Sequence, residues 1–185
     1  MVLPRSKDFK ALFDVIKSRY HRDTDRILML SLFQLLWTAL DPSGYVGHIN
    51  KDLFPHTPMH SVLLHYSLGD TKVTWLGAQQ LGRAAGCLMY ESQRAEYNVS
   101  VAGFERIGDE VVIDTLAGGG KEMDKCLIQG WDYGEPQVPF INKPPTAGDT
   151  HDWTHKQDDA QAANFKFWSE GIIYNACNGP CIGRN

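Results

Sequence analysis

Residues 61–86 read Ser61-Val-Leu-Leu-His65-Tyr-Ser67-Leu-Gly69-Asp70-Thr-Lys-Val73-Thr-Trp-Leu76-Gly-Ala78-Gln-Gln-Leu81-Gly-Arg-Ala84-Ala85-Gly86. The run 62–68 is short and mostly apolar, the pattern of a buried strand. Gly69-Asp70 interrupts it as a turn does. From Val73 onward apolar and small residues recur at helical spacing through Leu76, Ala78, Leu81, Ala84 and Ala85, and Gly86 stands where a helix-ending glycine belongs. The stretch predicts strand, tight turn and helix, with Asp70 at the handover. In open parallel sheets this carboxyl edge is where ligands bind and catalytic groups sit. Asp70 also suits a plainer role, capping the helix or satisfying the turn, and on pattern alone that role is favoured.

The rest of the chain suits an α/β reading with a short, mostly parallel sheet flanked by helices. Apolar periodicity predicts helices over 8–20, 24–40, 73–86 and 158–169, and strands over 62–68, 111–116 and 126–130. The expected architecture places these strands in one sheet, the first and last of them parallel. Residues 91–107 read as extended. The second helix is apolar nearly all round and is expected to be buried. Gly118-Gly119-Gly120 and the prolines Pro136, Pro139, Pro144 and Pro145 mark turns and an irregular loop. The expected organisation is one domain over 1–185: a helical lead-in to 60, a sheet-and-helix core over 61–171 and a cysteine-containing tail over 172–185.

At 185 residues, 43% hydrophobic and 22% charged, the chain has the composition of an ordinary globular domain with a real core. A formal net charge of −4 and no basic stripe point away from nucleic acid. The most apolar stretch, 27–40, carries Ser31, Gln34 and Thr38 and falls short of the roughly 20 apolar residues of a membrane span. The first eight residues have no apolar segment of the kind a secretory leader carries. Of the four cysteines, Cys177 and Cys181 flank a small loop in the tail and suit a disulfide, which implies an oxidising compartment. Cys87 and Cys126 read as apolar core residues. No paired zinc-type cysteine motif is present, and no cofactor is expected.

A second candidate site precedes the last helix: Gly148-Asp149-Thr150-His151-Asp152-Trp153-Thr154-His155. A histidine on such a loop can serve as general base. His151 and His155 also have the spacing of a zinc-binding helix with Asp152 as the acid. That metal-hydrolase reading ranks low, because the segment looks like a loop and aspartate reaches a metal-bound water poorly.

Strand, Gly69-Asp70, helix, and a histidine before the final helix together resemble the C-terminal half of the α/β-hydrolase fold. Residues 64–86, residues 27–45 with Asp41-Pro-Ser-Gly-Tyr45, the Asn142-Lys143-Pro144-Pro145 loop, the His151 segment and the Cys177/Cys181 tail are similar to a group of large secreted bacterial esterase-like or lipase-like proteins. The resemblance implies Asp70 as triad acid, His151 as base with His155 as alternative, and an extracellular or periplasmic location. The family's Gly-x-Ser-x-Gly elbow is absent. Its nearest string, His65-Tyr66-Ser67-Leu68-Gly69, puts a bulky residue where a small one is required, so Ser67 is a weak nucleophile candidate and reads better as a strand residue. The resemblance therefore implies a C-terminal part or subunit of a serine ester hydrolase whose serine is on another chain. A partner chain, or a second copy covering the open sheet edge, is the expected companion. The alternative is a non-catalytic binding or assembly module.

Overall fold

The structure is a computed structural model that describes residues 9–95, 99–100, 102–117, 126–134 and 148–184. Its centre is a three-stranded parallel sheet. Strand β1 (Val62–Ser67) pairs with β7 (Cys126–Asp132), Val62 opposite Cys126 and Ser67 opposite Trp131, and β7 pairs on its far side with β9 (Cys181–Ile182). The middle strand is buried from Cys126 through Trp131, as expected of a parallel strand covered on both faces. Between β1 and β7 the chain forms helix α3 (Trp75–Ala85), then the short strands β2 (Met89–Tyr90), β3 (Arg94–Ala95), β4 (Val99–Ser100), β5 (Arg106–Ile107) and β6 (Ile113–Asp114). Before the sheet come helices α1 (Phe9–Arg19) and α2 (Asp23–Thr38); after it come α4 (Asp158–Glu170) and β8 (Ile172–Ile173).

Side-chain alternation along the central strands divides the core. Tyr66, Leu68, Cys126 and Ile128 pack with Trp75, Ala85 and Met89 on the α3 side. Leu127 points the other way, to Leu88, Tyr90, Ile113 and Ile173. Trp131 packs with Ala160 of α4 and Cys181 of β9. Helix α3 approaches the sheet closely at Gly82, where a Cβ would stand 2.8 Å from Ile128 Cδ1. Gly86, at φ 70°, ends the helix in the left-handed conformation its position predicts.

Several expectations are corrected. Only Ile113–Asp114 of 111–116 is a strand, and it pairs antiparallel with β8 in a separate two-stranded ladder. The Asp114 carboxylate accepts from the Leu116 and Ala117 N–H groups and turns the chain out of the strand. The third strand of the main sheet comes instead from the tail, where no strand is expected. Residues 91–107 are not one extended run: β3 and β4 form an antiparallel pair, and β5 joins β2 in parallel. Helix α2 is not buried all round: Leu30 is buried, while Leu28, Leu35, Leu36 and Trp37 are exposed. Cys87 and Cys126 are indeed buried, but as a disulfide that ties the end of α3 to the start of β7; Cys177–Cys181 is the second disulfide. The glycine triplet 118–120 and the proline-rich loop 136–145 lie outside the described residues. Among the described residues no helix is long and apolar enough to cross a membrane.

Candidate active site

The chain leaves β1 at Ser67, and Leu68 still donates its N–H to Trp131 O at 2.9 Å. Gly69, at φ 89°, then makes the sharp turn that an L side chain resists. Asp70 follows at the carboxyl edge of the sheet. Its Oδ1 accepts from the N–H groups of Lys72 and Val73, both at 2.9 Å, so the turn role is real, and α3 begins two residues later than the apolar spacing predicts. The same carboxylate does more. Its Oδ2 lies 2.9 Å from His151 Nδ1. His151 stands in the turn that leads to α4, with about a third of its side chain exposed (32%) against 12% for Asp70.

A carboxylate at Nδ1 fixes the proton on that nitrogen and leaves Nε2 as the acceptor of the neutral ring. A ring so held can take a proton at Nε2 and return it, the elementary requirement of general acid–base catalysis. The pair opens on a cavity of about 330 Å³, also lined by His65, Ser67, Thr154 and His155.

The remaining candidates occupy other roles. Ser67 is the last residue of β1 and is buried; its hydroxyl lies 2.5 Å from the Thr154 hydroxyl, which also bonds the Tyr133 hydroxyl at 2.9 Å. No hydrogen bond among the described residues joins Ser67 to a histidine. Burial raises the Tyr133 pKa, partly offset by its bonds to Thr154 and Ser67. His155 lies in a short 3-10 turn (Thr154–Lys156), exposed, and His151 rather than His155 meets the Asp70 carboxylate. The two histidines therefore do not share an α-helical face, the premise of the metal reading. Among the described residues no group of three or more His, Cys, Asp or Glu is placed to hold a metal ion.

His65 is more than the bulky neighbour of Ser67 that its place in the sequence suggests. Its Nδ1 accepts from Trp131 Nε1 at 3.1 Å, and burial pushes its pKa down to about 4, against a smaller upward pull from the Asn164 side chain. A histidine inside an otherwise apolar strand was the available signal. Asp149, Thr150 and Thr154 were also missed as individual contributors, although they stand in the quoted His151 segment.

Comparison with family models, curated proteins and solved structures returns no match.

Proposed function

We propose that this chain is the C-terminal part or subunit of a serine ester hydrolase of the α/β-hydrolase kind, supplying acid and base to a triad whose serine lies on another polypeptide. The observation that carries the reading is the 2.9 Å contact of Asp70 Oδ2 with His151 Nδ1 at the carboxyl edge of the parallel sheet, beside a cavity. In this reading the partner's serine hydroxyl gives its proton to His151 Nε2 as its oxygen attacks the ester carbonyl. The imidazolium, steadied by Asp70, then protonates the leaving alkoxide, and water repeats the cycle to release the acid.

Association is supported by two surfaces. Among the described residues β1 is an edge strand of the main sheet, and it carries none of the charges or prolines that usually protect an edge. Helix α2 exposes a row of large apolar side chains, and exposed apolar patches mark interaction sites. A nucleophile-bearing partner is the preferred companion, a second copy the alternative. Two disulfides support maturation in an extracellular or periplasmic compartment.

A second reading, a non-catalytic binding module, is favoured by one observation: the hydroxyl of Ser67, a residue lining the cavity, is engaged by Thr154 instead of by a base. Fluorophosphonate labelling of the native assembly separates the two. A labelled serine on a co-purifying chain supports hydrolysis, and an unlabelled assembly supports the binding module.

A further inference from the structure

We propose that Asp149 and Thr150 are positioning residues that set the Asp70–His151 distance by clamping the two loops together. The pair it joins comes from segments 81 residues apart, and neither segment lies inside a helix or strand at the point of contact. Something must fix two loops against each other to about the tolerance of a hydrogen bond, since misplacement by about 1 Å is enough to cost catalysis heavily.

The three consecutive residues 149, 150 and 151 each engage the turn after β1. Asp149 Oδ1 accepts from the Thr71 N–H at 3.1 Å and from the His151 N–H at 3.3 Å, and its Oδ2 accepts from the Thr71 hydroxyl in a short bond. Thr150 is fully buried, and its hydroxyl donates to Leu68 O at 2.9 Å. His151 then meets Asp70, which Leu68 and Thr71 bracket. Asp149 is matched to this place because the Thr71 N–H, the Thr71 hydroxyl and the His151 N–H are all donors, and an ionised carboxylate only accepts. Bonds from N–H and O–H groups to a carboxylate are also the stronger kind. Gly148, at φ 131°, brings the chain into the clamp through a conformation that L side chains rarely adopt. Neither Asp149 nor Thr150 needs to touch a substrate; both act through His151.

This inference goes beyond the hydrolase proposal and stands on the loop geometry alone, so it holds or fails whether or not a serine partner exists. The test is proton and nitrogen NMR of the full chain, isotopically labelled in histidine. Wild type is expected to show a low-field Nδ1 proton on His151, assigned by its loss in His151→Gln. Asp149→Ala removes the bonds to Thr71 and to the His151 N–H and is expected to abolish that signal, with the ring exchanging between tautomers. Asp149→Asn keeps an acceptor oxygen for the N–H groups, and the Thr71 hydroxyl can turn to accept from the new amide, so the signal is expected to survive. Thermal melts run on the same samples separate stability from position. A folded Asp149→Ala variant that keeps the wild-type signal overturns the proposal, even if it melts lower. Where Asp149→Ala does not fold, Thr150→Val decides: it loses only the Leu68 bond and is expected to broaden the signal, and an unchanged signal overturns the proposal.

Discussion

The Asp70 carboxylate divides its two oxygens between two tasks. Oδ1 holds the Lys72 and Val73 N–H groups of its own turn, and Oδ2 holds His151 Nδ1 at 2.9 Å. The turn role and the contact with His151, which compete as readings of the sequence, coexist in one side chain, while α3 starts later, at Trp75, with Thr74 at its N-cap.

That division predicts different outcomes for two substitutions. Asp70→Asn keeps one oxygen for the turn and presents an amide to His151. The amide can donate to Nδ1 but cannot accept from it, so the ring switches to the Nε2–H tautomer. Imidazole nitrogen shifts are expected to report the switch, with stability nearly unchanged. Asp70→Ala also loses the turn bonds and is expected to unfold at lower urea, by about 1–2 kcal/mol.

His65 makes stability depend on pH. Its folded pKa of about 4 is depressed by burial below the ordinary value of 6.5. The unfolded chain therefore binds the proton first, and the stability present above pH 6.5 is lost as pH falls toward 4. Protonation at Nδ1 would also break the bond from Trp131. The loss is expected to reach about 3 kcal/mol. Urea midpoints at pH 7 and pH 4.5 measure it, and His65→Gln is expected to flatten the difference between them. Equal pH dependence in wild type and variant would remove His65 as the cause.

Gly130 predicts a packing penalty. It lies mid-strand in β7, and a Cβ there would stand 2.6 Å from the ring carbon and hydroxyl of the buried Tyr66. Gly130→Ala is expected to destabilise by about 1–3 kcal/mol, the usual range for overpacking. Denaturant unfolding checks it, with Gly47→Ala, whose Cβ meets nothing within 4 Å, as the control.

The two disulfides differ in the chain they close. Cys87–Cys126 spans 39 residues and Cys177–Cys181 spans 4. By loop-closure entropy the first contributes about 4 kcal/mol and the second about 2 kcal/mol. Replacing each pair by alanine is expected to lower the urea midpoint more for the long loop. Intact-mass analysis of alkylated native protein is expected to show no labelled thiol before reduction; four labelled thiols would contradict both bonds.

Local signals on the chain carried the central part of the fold. Strands β1 and β7 follow from their short apolar runs, β7 most clearly because burial on both faces leaves a continuous apolar signature, and the helices α1 to α4 follow from apolar residues at helical spacing, with Gly86 marking the end of α3. Strand β9 did not, since two residues between Pro180 and Gly183 carry no periodicity, and only the neighbouring β7 makes them a strand. The Cys87–Cys126 bond was equally hidden: two buried cysteines look the same bonded or free until the fold brings them together. The placement of Asp70 beside His151 came from the resemblance and not from the residues' own pattern. Asp149 went unnoticed because its partner Thr71 is 78 residues away. The exposure of α2 is not legible in the sequence, because an apolar helix says that something covers it, not whether this chain does.

The most direct test of the central claim is the rate of fluorophosphonate labelling of the native assembly, compared between wild type and a His151→Ala chain of unchanged fold and association. The account predicts a labelled serine on the companion polypeptide, with Ser67 unlabelled, and a rate reduced by about 10⁴-fold or more without the base. A labelled serine whose rate is indifferent to His151, or an assembly with no labelled serine at all, would contradict it.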